Sequence, residues 1–221
     1  MIRHLKVIFT IVALFVGCHK QTKAVSIPVG DVVCGLSPQA EHPSIVKDYV
    51  YIDNTLSDVE IRSIMHAMND WAVATGGRVE YGPIKLISRD DASSKFIPED
   101  ADCDIDRPSR LYFKSVELED EEIVKADLQN KIEHKDSRIT LALTRTICEK
   151  SVVKIASRRV YGLNEKQTIG LIQHELGHVF LISHHDELIG HTVMASLLDN
   201  YAKCITKQDV ELFCQMQNCE E

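Results

Sequence analysis

His174, Glu175, His178 and His184 are the residues of this chain whose types and spacing can do chemistry. On a helix, positions four apart project from one face, so His174 and His178 can present two imidazole nitrogens to one metal ion. Glu175, one residue along, is turned out of the ligand direction but can reach a metal-bound water, the placement a general base needs. His184 supplies a third imidazole if the chain turns back after the helix. Three protein ligands leave a fourth position for water, the arrangement of a catalytic zinc rather than a closed structural one. The chemistry expected is hydrolysis. Zinc lowers the pKa of its water toward roughly 7. Glu175 takes a proton as that water attacks, and returns it to the leaving group.

Such a pair of ligands needs a helix held by packing. Asn164 and Gln167 offer a cap and its reciprocal partner, and the spacing predicts a helix over 165–181 whose other side buries Ile169, Ile172, Leu176, Val179 and Phe180. A second capping box, Ser57 with Glu60, opens a stripe of Ile61, Ile64, Met65, Met68, Trp71 and Ala72, stopped by Gly76-Gly77. Strands are expected at Tyr49 to Ile52, around Gly82-Pro83 within 78–88, at 111–116, at 139–147, and in a β-rich run over 152–160. Within 139–147, Ile139, Leu141 and Leu143 alternate with Thr140, Ala142 and Thr144. Thr206 and Asp209 cap a last helix reaching about Gln217. Segment 18–47 has no clear period and reads as a tether or N-terminal strap, leaving 48–221 as one catalytic domain.

The first residues differ in kind. Arg3 and Lys6 precede an uncharged run from Val7 to Val16, too short to span a bilayer and suited to a signal-peptide core over 1–17. Phe15-Val16-Gly17-Cys18 resembles a bacterial lipobox, so export to the cell envelope with lipid on Cys18 is expected; secretion and an uncleaved anchor are the alternatives. Removing 1–17 takes the formal charge from −8 to −10, because it deletes Arg3 and Lys6 and no acid. An acidic surface without a basic, aromatic-interleaved patch argues against nucleic acid as a partner. Cys34, Cys103, Cys148, Cys204, Cys214 and Cys219 are an even set in a chain bound for an oxidising compartment, which favours disulfides without choosing their pairing. Two acidic clusters, 99–106 and 117–122, raise the question of calcium; neither carries the Asp-x-Asp-x-Asp-Gly pattern, and solvated loops are the favoured reading.

With these pieces in order, the chain resembles the metzincin zinc endopeptidases, most nearly the matrixin-like members. His174, Glu175, His178 and His184 match His-Glu-x-x-His-x-x-Gly-x-x-His, and Met194, in Val193-Met194-Ala195, matches the Met of the turn that follows. Ala67 and Trp71, Thr75-Gly76 and the closing segment 205–210 are similar in looser ways. The resemblance implies an α+β, metzincin-like zincin fold: a twisted, mostly parallel sheet with an active-site helix, a backing helix and a C-terminal helix. It also implies zinc on His174, His178 and His184, with Met194 as a packing platform beneath the metal, a peptide or protein substrate, and an edge strand near 152–160 that aligns it. Residues after Met194, such as 197–203, would wall the specificity pocket.

Two departures matter. The motif's Gly is Leu181 here, and a non-Gly residue at positive φ costs about 1–2 kcal/mol. His185 and Asp186 are the substitutes if the turn is displaced, Asp186 also fitting a carboxylate that orients a ligating His. Where some metzincins carry a Tyr two residues after the Met, this chain has Ser196. Cys34-Gly35 is similar to the thiolate switch of latent matrixins, with disulfide pairing the favoured role. A gluzincin-type site with Glu187 or Glu211 as third ligand, and a metal-stabilised binding protein without turnover, are the other readings.

Overall fold

The computed structural model describes residues 40, 45–91, 108–134, 139–147, 150–185, 192–196, 198 and 204–219. The expected signal peptide, Cys18, Cys34-Gly35, the acidic cluster 99–106, Asp186 and Glu187 all lie outside the described residues.

Five strands form the main sheet: β2 (Tyr49–Asp53), β4 (Ile84–Ile87), β5 (Arg110–Ser115), β6 (Ala142–Ile147) and β7 (Lys150–Ile155), in the order β4-β2-β5-β7-β6. All pairs are parallel except β6 with β7. Two further strands, β1 (Ile45–Lys47) and β3 (Val79–Tyr81), pair in parallel beside it, so β1 falls inside the segment read as a tether. The order corrects one expectation. β7 lies between β5 and β6, and the outer strand on this side is β6; the β-rich run over 152–160 also ends early, because Ser157–Val160 turns into a short helix, α3.

The strands' twofold alternation sends side chains to opposite faces. Val50, Ile52, Leu111, Phe113, Val153 and Ile155 face one core with two helices, α1 (Asp58–Ala74) and α4 (Glu165–Val179). Tyr51, Tyr112 and Ile87 cluster apart from that core. On α1, Ile64, Met68 and Trp71 of the expected stripe are buried and Ala67 joins them, whereas Met65 is 43% exposed. Both reciprocal bonds of the Ser57–Glu60 capping box are present, and the chain leaves α1 through Gly76 and Gly77 at φ 63 and 81, a region open to glycine. The last helix, α5 (Lys207–Gln217), starts on the expected Thr206–Asp209 box. The fold is thus a mixed, mostly parallel sheet with helices against it.

One element has no counterpart in the sequence reading. Helix α2 (Glu121–His134) begins in the acidic cluster 117–122: Asp120 Oδ1 accepts from the main-chain N–H of Glu122 at 3.1 Å and of Ile123 at 3.4 Å. Lys154 on β7 meets Asp120 at 3.1 Å and Glu122 at 3.0 Å, and Arg145 meets Glu122 at 2.9 Å. These carboxylates are therefore a helix start tied to the sheet by ion pairs, not a solvated loop. Cys214 and Cys219 form a disulfide, and Cys204 is disulfide-bonded as well. Among the described residues no helix is long and apolar enough to cross a membrane.

Candidate metal centre

The centre is built on α4. Asn164 accepts from Gln167 N–H at 3.0 Å while the Gln167 side chain accepts from Asn164 N–H at 3.1 Å, which satisfies two of the donors that a helix start leaves bare. Packing against α1 fixes the helix: Trp71 Nε1 donates to the Gln173 carbonyl at 2.9 Å, and Gln173 Nε2 donates to Asp70 at 2.7 Å. The Trp71 ring sits edge-on to Phe180, with centroids 5.1 Å apart. His174 and Glu175 consequently lie on a helix with little freedom to roll, each only 4% exposed.

The helix ends at Val179, two residues before the expected 181. Leu181 N–H then bonds His178 O and Ile182 N–H bonds Gly177 O, each at 3.0 Å. This pair of bonds is a Schellman turn. Its left-handed position is Leu181, at φ 68. The strained turn foreseen from the sequence is therefore made, and with Leu in the glycine's place. Ile182 and Leu176 share the core beneath it, the apolar contact that such turns commonly carry. Gln217 of α5 donates to Phe180 O at 2.8 Å, which satisfies one more carbonyl at the helix end.

The turn brings His184 back. The three Nε2 atoms form a triangle: His174 to His178 at 3.0 Å, and His184 to each of them at 3.2 Å. Zinc–nitrogen bonds of 2.0–2.1 Å in a tetrahedron require ligand nitrogens roughly 3.3 Å apart. The triangle has that size. The proton bookkeeping agrees: His174 Nδ1 faces Val193 O at 2.8 Å and His178 Nδ1 faces Ile182 O at 2.7 Å. A carbonyl oxygen only accepts, so both Nδ1 atoms carry the hydrogen and both Nε2 atoms turn lone pairs to the centre. Burial and the neighbouring imidazoles hold His174 well below the ordinary histidine range, and for the same reasons His178 is lowered to about 4. Neutral imidazoles converging on one point are a donor set for zinc. Among the described residues this is the one group of three or more His, Cys, Asp or Glu close enough to share an ion.

His185 is not among the converging imidazoles, and its main-chain N–H bonds Met194 O at 2.9 Å. Glu211, the rival third ligand, lies exposed on α5 and pairs with Lys207 at 3.7 Å, outside the triangle. Met194 is fully buried, and a Cβ built on Gly177 would overlap its Sδ. The sulfur thus packs against α4 at Gly177.

Two supports escaped the sequence reading. Asp209 was read only as a cap partner, yet it is fully buried and also accepts from Thr192 Oγ1 and from Val193 N–H at 3.1 Å. One carboxylate therefore ties the start of α5 to the turn whose Val193 carbonyl orients His174. Burial pushes Asp209 up, and the hydroxyl and N–H donors around it oppose that. The second is Thr144 on β6, whose hydroxyl lies 2.6 Å from Glu175 Oε2. Burial raises Glu175 to about 7, with the Thr144 bond acting in the other direction. Neither Asp209 nor Thr144 is near the motif in sequence, so spacing held no signal of these contacts.

No family model matches the chain, and no curated protein sequence does. Among solved structures the chain is similar to archaemetzincin from Methanopyrus kandleri, at 14% identity and a TM-score of 0.45, over 83% of this chain and 100% of that one.

Proposed function

We propose that the chain is a zinc-dependent endopeptidase of metzincin-like design. One observation carries the reading: three imidazoles converge within 3.2 Å of one another beside the buried carboxylate of Glu175, which shares a helix with two of them. His174, His178 and His184 would hold the ion. Zinc bound there supplies a Lewis acid that polarises a carbonyl and makes a water acidic near neutrality.

The remaining work falls to this chain's own groups. Glu175, buried and one residue along from His174, is placed to accept a proton and give it up to a leaving amine. Strand β6 is the outer strand next to α4, and an extended peptide can pair with an outer edge through main-chain hydrogen bonds. Met194 and Val193 hold the helix and His174 in register beneath them. The departure from the motif at Leu181 does not oppose the reading, since the turn brings His184 to the other two imidazoles all the same.

The test is an assay on a mixed protein substrate. The parent chain with zinc is expected to cut it, chelator to stop it, and added zinc to restore it. Glu175→Ala should bind one equivalent of zinc and cut at least about a hundredfold more slowly. Equal rates for Glu175→Ala and parent would reject the mechanism. Zinc bound without any cutting would favour the binding-protein reading. Export and a lipid on Cys18 are part of the proposal, supported by the run from Val7 to Cys18; incorporation of labelled fatty acid into the parent but not into Cys18→Ser checks it.

A further inference from the structure

Glu175 has three rotatable bonds before its carboxylate, and freezing such a side chain costs conformational freedom. What holds it is a single side chain from another element. Thr144 Oγ1 lies 2.6 Å from Glu175 Oε2 and 3.1 Å from the Glu175 carbonyl. A hydroxyl has one hydrogen, and the nearer, carboxylate oxygen is the stronger acceptor. No other described group bonds the Glu175 carboxylate.

Thr144 is well suited to be an anchor. It is β-branched and therefore stiff about χ1, and it sits inside the β6–β7 ladder opposite Val153. Its face of β6 is shared with Ala142, which is buried in the main core, whereas Leu143 packs with Val116, Ile123 and Ala156. The polar member of the alternation thus points to the helix that carries the base.

We propose that Thr144 is a positioning residue for Glu175: it pins Oε2 and leaves Oε1 to exchange the proton. This rests on the reading of Glu175 as the base. Because β6 is also the outer strand on which a peptide would pair, one strand sets both the substrate's place and the base's place. A displacement of about 1 Å in such an arrangement is enough to lower a rate about a hundredfold.

Thr144→Val keeps the shape and removes the donor; Thr144→Ser keeps the donor. With one equivalent of zinc bound in each, Thr144→Val should lose about tenfold or more in kcat with KM within about twofold of the parent, and Thr144→Ser should recover to within about threefold. Thr144→Val at the parent's kcat, or Thr144→Ser no better than Thr144→Val, overturns the proposal. A second measurement does not need turnover. Crystal structures of the metal-free parent and Thr144→Val should show the Glu175 carboxylate displaced or in several rotamers in the variant, and an unmoved carboxylate overturns the proposal. If the parent cuts nothing, the peptidase reading fails by itself and the carboxylate position still decides the role of Thr144. Should Thr144→Val not fold, Thr144→Ala takes its place in both measurements.

Discussion

The two halves of the imidazole triangle are held by different means. His174 and His178 stand on a capped helix packed against α1, and each has its Nδ1 against a main-chain carbonyl. His184 is exposed and arrives over a left-handed Leu181. The first half is rigid before any ion binds. The second depends on a turn that is strained at one residue and stabilised by its two Schellman bonds, by the burial of Ile182 and by Gln217. Yet the halves are not independent. Ile182, which the turn places, supplies the carbonyl that orients His178, so the connection that delivers the third imidazole also orients the second.

That asymmetry can be broken or sharpened experimentally. The largest effect is expected from His174→Ala, which should lower zinc affinity more than about a hundredfold in a competition titration. His184→Ala should cost less, because water can replace an exposed ligand; an equal or larger loss would contradict the rigid-half, delivered-half distinction.

Next comes Asp209→Ala. It strips the acceptor from the Thr192 hydroxyl and from the main-chain N–H groups of Val193 and Thr206, all buried. Urea unfolding of the metal-free chain should show a loss of about 2–4 kcal/mol. Zinc affinity should fall as well, through Val193 and His174. Unchanged affinity at reduced stability would confine Asp209 to capping α5.

Gly177→Ala should cost about 1–3 kcal/mol, since the added Cβ meets Met194 Sδ. The sign is informative. In a helix with open surroundings the same change would gain up to about 1 kcal/mol, so a stabilised variant would mean that Met194 does not pack there.

The smallest effect is Leu181→Gly. Relief of positive φ returns about 1–2 kcal/mol, and the freer unfolded chain takes back about 0.4–1 kcal/mol. Leu181 is 55% exposed, so little burial is lost. A net gain of roughly 0–1.6 kcal/mol in unfolding free energy, read as a higher midpoint with zinc affinity unchanged, is expected. Leu181→Val should shift the midpoint the other way.

Local patterns in the sequence carried far. Both helix starts at Ser57 and Asn164, the stop at Gly76-Gly77, the buried part of the stripe on α1 and the start of α5 at Thr206 all depend on residues three or four positions apart, and each formed as its spacing required. Helix α2 was not read although Val124, Leu128 and Ile132 recur at helical spacing; the structure leaves that stripe exposed and buries Ile123. The strand order was equally hidden. Which strand is outermost depends on pairing between segments far apart, and β7, read as an edge, has partners on both sides.

For the centre itself, the sequence alone determined the ligand types, the shared face of His174 and His178, and the position where the chain had to turn. Those follow from helical periodicity and from the steric cost of positive φ, both local. Whether Leu181 would accept that turn was a tertiary decision, made by burial of Ile182 and the bond from Gln217. So were the grip of Asp209 on Val193 and of Thr144 on Glu175. Hydrogen bonds between residues 16 and 31 positions apart leave no period in a sequence; they exist only once the sheet and helices have brought those side chains together.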